Sequence, residues 1–81
     1  MTYEEAIVKI QTGKRYRHFK GNEYVVLCIG RSTETEEAMV VYKALYGDGK
    51  IWVRPAGMWN DEVQPGVSRF ELVEEDEAES A

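Results

Sequence analysis

His18 is the single histidine of the chain, so any imidazole acid–base chemistry near neutral pH depends on it. Such chemistry needs a hydroxyl, a thiol or a carboxylate within about 3 Å of the ring. Glu34 is the carboxylate that we consider for this role, whereas Cys28 lies in an apolar run, where a thiol usually packs inertly. Two nearby cations, Arg17 and Lys20, predict that the pKa of His18 is lowered. We favour a non-catalytic role; the alternative is a small hydrolase-like enzyme that uses His18 with Glu34 on a small or nucleotide-like substrate.

A metal site would require three or four ligands with suitable geometry. The available ligands are His18, Glu34, Asp48 and Asp61, and no two of them fall at a recognisable ligand spacing. No glycine-rich phosphate loop precedes a predicted helix. We therefore expect neither a metal ion nor a cofactor.

The richest pattern is an alternation of aromatic and cationic side chains between Val40 and Pro55, which the segment around His18 repeats. Aromatic rings offer stacking platforms for bases and for peptide side chains, and an arginine anchors a phosphate or a carboxylate. These properties predict a binding surface. The candidate ligand-binding residues are Tyr16, His18, Lys20, Tyr42, Trp52, Arg54 and Trp59.

A β-hairpin must position most of these side chains. Met39–Tyr46 and Lys50–Arg54 alternate as strands, and Pro55 ends the second strand because it has no N–H for a ladder. We predict a three-residue loop, Gly47-Asp48-Gly49, with Gly49 in the left-handed conformation that such a loop needs.

The length of this loop decides the register of the hairpin. A two-residue loop would set Lys43 opposite Arg54, and two like charges repel there. The three-residue loop sets Tyr42 opposite Arg54, which is favourable. One face of the hairpin is then mainly aliphatic, with Lys43 as its single misfit; its apolar members are Val41, Leu45, Ile51 and Val53. The other face, with the residues of the first strand, we name the aromatic–cationic face: Tyr16, His18, Lys20, Tyr42, Ala44, Tyr46, Lys50, Trp52 and Arg54.

An N-terminal helix competes for that face. Thr2 and Glu5 have the spacing of a capping box, and the apolar pattern predicts a helix over residues 2–12 that Gly13 ends. If the helix covers the aromatic–cationic face, Trp52 is buried; burial and exposure of this ring remain equally open. We favour burial for Tyr46, and we expect Trp59, next to Asn60 and Asp61, to reach solvent.

The remaining segments predict short antiparallel strands. Arg15–Phe19 and Tyr24–Gly30 alternate as strands, Glu62-Val63 pairs briefly, and Ser68–Val73 forms the last strand. One helix and about five strands predict a mainly β fold, a small open antiparallel barrel that forms a single domain over residues 1–73. Residues 74–81 are expected to be an acidic, disordered tail.

Charge and composition limit the possible partners. The 81 residues carry 15 acids and 10 bases, for a net charge of −5. Since the tail holds five of the acids, the folded part is formally neutral, which argues against strong non-specific binding to duplex nucleic acid. The single cysteine, an acidic N-terminus and the absence of a long apolar run predict a cytoplasmic protein without membrane contact.

Several motifs together resemble the domain-of-unknown-function family 1653. These are His18-Phe19-Lys20-Gly21 with Tyr24, Thr33-Glu34-Thr35, Val40-Val41-Tyr42, Ala44-Leu45-Tyr46-Gly47-Asp48-Gly49 and Ile51-Trp52-Val53-Arg54-Pro55. The resemblance covers roughly Arg15 to Leu72 and implies a small SH3-like barrel without an established activity. Ser32 stands where the family often has a histidine, which argues against a two-histidine metal site here. Met58-Trp59 stands where the family usually has Met-Phe.

These observations predict a non-catalytic binding module that uses its aromatic–cationic surface. A protein or peptide partner is slightly favoured, and single-stranded nucleic acid is the other ligand class considered. A monomer is favoured over an oligomer, although the aromatic surface could also serve as an oligomer interface.

Overall fold

The computed structural model describes residues 1–73, and its main feature is an open antiparallel sheet. The elements in chain order are α1 (Tyr3–Lys9), β1 (Arg15–His18), β2 (Glu23–Arg31), β3 (Ala38–Ala44), β4 (Ile51–Pro55), the 3-10 turn η1 (Ala56–Met58), β5 (Glu62–Gln64), β6 (Val67–Ser68) and β7 (Phe70–Leu72). Five strands form the sheet in the order β4-β3-β2-β1-β7, and β5 pairs with β6. The predicted mainly β, open fold is confirmed. The predicted acidic tail, residues 74–81, lies outside the described part of the chain.

Helix α1 begins with the predicted capping box. The Thr2 hydroxyl accepts from the backbone N–H of Glu5 at 3.1 Å, and the Glu5 carboxylate accepts from the N–H of Thr2 at 2.9 Å. The helix ends at Lys9, so the predicted extension to residue 12 is wrong. Ile10 is already extended, with φ −108° and ψ 119°, and its side chain is buried. Gly13, with φ 79°, instead joins the chain to β2 by donating to the carbonyl of Val26 at 2.7 Å.

A β-bulge in β2 changes which of its side chains face inward. Val26 pairs with Tyr42 and Cys28 with Val41, so Leu27 is an extra residue without a partner in β3. A bulge of this kind shifts the alternation by one residue. Val26 and Ile29 are therefore both buried, although they are three residues apart.

The register of the β3–β4 hairpin differs from the prediction. Tyr42 lies opposite Trp52 rather than opposite Arg54, and the Ala44 N–H donates to the Lys50 carbonyl at 2.9 Å. Residues 45–49 therefore form the loop. On the other side of β3, the Leu45 N–H donates to the Glu23 carbonyl at 3.0 Å, so Leu45 pairs with the neighbouring strand β2. A shift of two residues preserves the alternation of faces, and the predicted division of side chains between them holds.

The two edge strands of the sheet, β7 and β4, differ in the hydrogen bonding of their outer sides. The last strand is interrupted at Arg69, whose N–H donates to the Asp61 carbonyl at 2.8 Å. The Phe70 N–H donates to the Trp59 carbonyl at 3.1 Å, so the backbone of this preceding segment covers the outer edge of β7. Strand β4 forms the other edge, and beyond β3 no strand of residues 1–73 pairs with it.

The core lies between α1, the inner face of the sheet and the segment that contains η1. Its members are Ala6, Ile10, Tyr16, Val26, Ile29, Ala38, Val40, Tyr42, Ala56, Trp59 and Phe70. Helix α1 packs on β2 and β3, which leaves β4 uncovered. Within the described residues, no helix has both the length and the apolar character needed to cross a bilayer.

Candidate ligand-binding surface

The buried part of the site is a cluster of aromatic rings. Trp59 and Phe70 stack with ring centroids 3.8 Å apart and an interplanar angle of 2°. Tyr16 and Tyr42 each meet Trp59 edge to face, with centroids 5.4 and 4.8 Å away. We name these four rings the aromatic floor. The expectation that Trp59 reaches solvent is wrong, because its side chain is 0% exposed beneath this stack.

Two further predicted ligand-binding residues, Tyr16 and Tyr42, belong to the aromatic floor and are not accessible to a ligand. Tyr16 and Tyr42 are both buried, and their hydroxyls are occupied. The Tyr16 hydroxyl accepts from the backbone N–H of Gln11 at 3.0 Å, and the Tyr42 hydroxyl accepts from Arg54 Nε at 3.2 Å. Tyr16, Tyr42 and Trp59 therefore support the surface instead of forming it.

Arg54 lies on the aromatic floor in a fixed position. Its guanidinium donates to the Tyr42 hydroxyl and, through Nη1, to the Met58 carbonyl, both at 3.2 Å. Its Cζ atom lies 5.2 Å from the centroid of the Phe70 ring, within cation–π range. No carboxylate of residues 1–73 forms an ion pair with it. The charge of Arg54 contributes to the lowered pKa of Asp61, whose larger cause is its hydrogen bonds with Arg69. A held guanidinium without an ion-pair partner in residues 1–73 is suited to an anionic group of a ligand.

Two aromatic side chains remain exposed on the same face of the sheet. Trp52, directly opposite Tyr42, is 47% exposed because α1 does not reach β4. Tyr46 is 45% exposed, so its predicted burial is wrong. Tyr46 belongs to the hairpin loop, and its hydroxyl shares a hydrogen bond of 2.8 Å with that of Tyr24. Burial, followed by this hydrogen bond, raises the pKa of Tyr24 to about 12.

His18 extends the surface at the far end of β1. Its ring meets Phe70 edge to face with centroids 4.9 Å apart, and the Lys20 N–H donates to its Nδ1 at 3.2 Å. Burial, followed by the charges of Arg54, Lys20 and Arg69, lowers the pKa of His18. The predicted direction of this shift is confirmed, and the lowered pKa favours the neutral imidazole. Because Nδ1 accepts a hydrogen bond, the ring proton of the neutral form is on Nε2.

Two aromatic residues of the site, Phe19 and Phe70, were not predicted from the sequence. Phe19 is exposed beside His18, with ring centroids 4.5 Å apart, and the Lys20 ammonium lies 5.9 Å from the centroid of its ring. Phe70 belongs to the last strand, which pairs His18 with Phe70 directly. The sequence signal was present in the alternation of Phe70 and Leu72, but the partner strand of β7 could not be read from it.

We name the exposed part of this region the ligand surface. It comprises His18, Phe19, Lys20, Tyr46, Trp52 and Arg54, all above or beside the aromatic floor. A pocket of about 290 Å³ adjoins it and is lined by Arg17, His18, Phe19, Gly66, Val67, Ser68 and Glu71. Arg69, the remaining cation near His18, is neutralised by a two-bond pair with Asp61, with both distances 3.0 Å.

The considered catalytic pair of His18 and Glu34 is not formed. Arg17, next to His18, pairs with the first residue of β2, whereas Glu34 follows the last residue of that strand. The nine residues of β2 separate the two sites by about 25 Å. Among the described residues, no three histidine, cysteine, aspartate or glutamate side chains gather as metal ligands. Cys28 is exposed on the outer face of the sheet, so its predicted inert packing is wrong.

The outer side of the β3–β4 hairpin is the predicted aliphatic face, and it is open to solvent. Ile51 is 59% and Val53 is 57% exposed. Since Lys50 bonds to β3, the alternation of an antiparallel ladder directs the backbone groups of Ile51 and Val53 away from β3. No other backbone or side-chain group of residues 1–73 bonds to them.

Fold and surface together define a small β-domain whose open sheet carries one aromatic–cationic face over an aromatic core. The sequence model of the protein family of unknown function DUF1653 matches residues 14–72, and the chain belongs to this family. A crystal structure of a DUF1653 protein from Bordetella bronchiseptica is similar, with 35% identity and a TM-score of 0.69 over 83% of this chain and 91% of that one. No curated protein matches the chain.

Proposed function

We propose that this protein is a non-catalytic binding module that holds a short peptide segment of a protein partner on the ligand surface. The observation that carries the proposal is Arg54. Its guanidinium is held by Tyr42 and Met58 over the Phe70 ring, and no carboxylate of residues 1–73 forms an ion pair with it. Exposed Trp52 lies two residues away on the same face. An acidic side chain would therefore meet a positioned cation beside a stacking platform.

The charge around the surface favours a peptide over single-stranded nucleic acid. A nucleic acid needs a positively charged groove that follows several phosphates. Here Arg69 is paired with Asp61, and the lowered pKa of His18 favours its neutral form. Within residues 1–73, the cations of the ligand surface without an ion-pair partner are therefore Arg54 and Lys20. These two cations can pair with one or two carboxylates of a peptide. The net charge of −5 further weakens attraction to a polyanion.

A monomer in the cytoplasm is part of the same proposal. The single cysteine is exposed, and an exposed thiol without a disulfide partner in its own chain suits a reducing compartment. A second copy is not needed to complete the ligand surface, because its six residues all come from one chain.

The test is an amide NMR titration with two probe pools, one of acidic eight-residue peptides and one of single-stranded DNA octamers. We expect the peptide pool to shift the Trp52 indole, the Arg54 guanidinium and the His18 amide. The Arg54→Gln variant should bind the best peptide at least about tenfold more weakly. Lys43→Gln is the matched control, because Lys43 is an exposed cation on the opposite face of the same hairpin.

Two results would contradict the proposal. Equal loss of affinity in Arg54→Gln and Lys43→Gln would mean that net charge, and not the ligand surface, binds the peptide. Shifts with the DNA pool alone would assign the surface to single-stranded nucleic acid.

A further inference from the structure

The free edge of β4 joins the ligand surface to the aliphatic face of the hairpin. Trp52 and Arg54 point to the inner side of the sheet, and Ile51 and Val53 point to the outer side. The backbone N–H and C=O groups of Ile51 and Val53 point along the sheet plane into solvent. The opposite edge, at Phe70, is covered by the Trp59 carbonyl. Proteins usually protect an exposed edge with charges, prolines, bulges or covering segments. Strand β4 has Lys50, Arg54 and Pro55 at its two ends, whereas no segment of residues 1–73 covers the backbone of Ile51 and Val53 between them.

We propose that the partner peptide binds as an additional β-strand along this edge. An added strand gains main-chain hydrogen bonds from Ile51 and Val53, and its side chains alternate between the two faces. Residues opposite Arg54 and Lys50 face the inner side of the sheet, where the exposed Lys50 ammonium lies 3.9 Å from the exposed Asp48 carboxylate. Residues opposite Ile51 and Val53 face the aliphatic side. The partner segment should therefore read acid, aliphatic, any residue, aliphatic, acid. This inference rests on the proposed function and specifies the chemistry of its partner.

The charges of β4 argue against a second copy of this chain as the added strand. Antiparallel self-pairing centred on Trp52 would set Lys50 opposite Arg54 of the other copy twice, and like charges directly opposite are unfavourable. Pairing centred on Val53 would set Ile51 opposite Pro55, which has no N–H to donate. A strand with acids at the two outer positions has neither disadvantage.

The probe is the peptide acetyl-Ser-Glu-Val-Tyr-Val-Glu-Ser-amide, whose central five residues have the same order in both directions. Its order-scrambled control, acetyl-Ser-Glu-Glu-Tyr-Val-Val-Ser-amide, has the same composition without the alternation. We expect amide hydrogen exchange at Ile51 and Val53 to slow at least about tenfold with the probe and not with the control. Affinity for the control should be at least about tenfold weaker.

Backbone changes on both sides isolate the edge hydrogen bonds. Val53→Pro removes a backbone N–H that the native ladder does not use. Val53→Thr retains this N–H and also retains a β-branched side chain. Only the proline variant should lose affinity, by at least about tenfold. If that variant does not fold, methylation of the peptide provides the same test. In an antiparallel added strand, the valines opposite Ile51 and Val53 exchange hydrogen bonds with them, and the tyrosine N–H faces away from β4. N-methylation of both valines should then abolish binding, whereas N-methylation of the tyrosine should not.

The outcomes separate this inference from the proposed function. Shifts at Trp52 and Arg54 with unchanged exchange at Ile51 and Val53 would overturn strand addition and keep peptide binding on the inner face. No response of Arg54 to any peptide would overturn both. If amide exchange at Ile51 and Val53 slows further as the protein concentration is raised without any peptide, the edge binds a second copy of the chain. This result would overturn the inference.

Discussion

The indole of Trp59 and the ring of Phe70 lie parallel with their centroids 3.8 Å apart, and the Phe70 N–H donates to the Trp59 carbonyl at 3.1 Å. This stack is the base on which Arg54 rests. The Trp59 Nε1 atom is buried and has no hydrogen-bond acceptor among residues 1–73. A buried donor without an acceptor costs about 1–3 kcal/mol. The ring therefore stabilises the fold through its packing and not through its N–H.

The first prediction compares the two tryptophans. Trp59→Ala should lower the free energy of unfolding by about 3–5 kcal/mol, because it empties the centre of the core. Trp52→Ala, at a half-exposed position, should lower it by less than about 1 kcal/mol. Trp59→Phe keeps the stack and removes the unsatisfied donor, so it should cost much less than Trp59→Ala. Urea unfolding of the three variants gives the comparison, and equal losses in the two alanine variants would contradict the structure.

The second prediction separates the charge of Arg54 from its shape. Arg54→Lys keeps a cation, but a lysine ammonium lacks the planar fork that holds Tyr42, Met58 and a carboxylate at once. Its affinity for the acidic probe peptide should lie between that of the native chain and that of Arg54→Gln. Isothermal titration calorimetry measures all three. Native affinity in the lysine variant would show that a point charge is sufficient.

The third prediction concerns pH. Burial, with the charges of Arg54, Lys20 and Arg69, lowers the pKa of His18 in the folded protein. Between this lowered pKa and the unfolded value of about 6.5, the unfolded chain binds more protons, so stability rises with pH. The contribution of neutral His18 to the free energy of unfolding is complete above about pH 6.5 and declines as the pH falls toward the folded pKa.

The control for this effect is His18→Gln, which has no imidazole to titrate. The difference in unfolding free energy between the native chain and this variant, measured from pH 4 to 7.5, removes the carboxylate contributions that both share. We expect the native chain to lose stability relative to His18→Gln as the pH falls. A native His18 pKa at or above 6.5 in a proton NMR titration would refute the prediction.

The fourth prediction concerns Tyr24, whose pKa is raised to about 12 by burial and by its hydrogen bond with Tyr46. Tyr46→Phe removes the hydrogen bond and leaves most of the burial. The pKa of Tyr24 should then fall but stay above the ordinary value of about 10, since burial is the larger cause. Carbon-13 NMR of the labelled phenol carbons resolves Tyr24 from the other tyrosines. An unchanged pKa would mean that the hydroxyl pair does not persist in solution.

The fifth prediction tests the capping box of α1. Thr2→Ala removes the acceptor for the Glu5 N–H and should cost about 1 kcal/mol of unfolding free energy. Thr2→Ser keeps a hydroxyl and is the matched control, with a smaller loss. Both values come from urea unfolding. Equal stability of Thr2→Ala and the native chain would show that the helix start is frayed.

The sequence predicted the alternation of the hairpin correctly because alternation is local: Tyr42 and Trp52 share a face in any register of the right parity. It did not predict the register, nor the bond by which Leu45 pairs with Glu23, 22 residues earlier in the chain. The contact of Arg54 with Tyr42 nevertheless forms, diagonally across the two strands.

The exposure of the rings was the part that sequence reasoning could not supply. Trp59 has polar neighbours, and only the turn η1 and the distant Phe70 bring its ring inside. Tyr46 is half exposed because the loop carries it away from the sheet, and Trp52 because a helix of seven residues is too short to cover β4. Each of these depends on packing between segments far apart in the chain.

The covered edge of β7 limits how this protein can assemble. A filament built by edge-to-edge pairing requires two free edge strands on every subunit, because each subunit must pair with one neighbour on either side. Within residues 1–73, the Phe70 N–H at the β7 edge bonds to the Trp59 carbonyl, whereas the backbone groups of Ile51 and Val53 at the β4 edge bond to no other strand. We therefore expect the five-stranded sheet to gain a strand at β4, and a single added strand there gives a one-to-one complex instead of a filament.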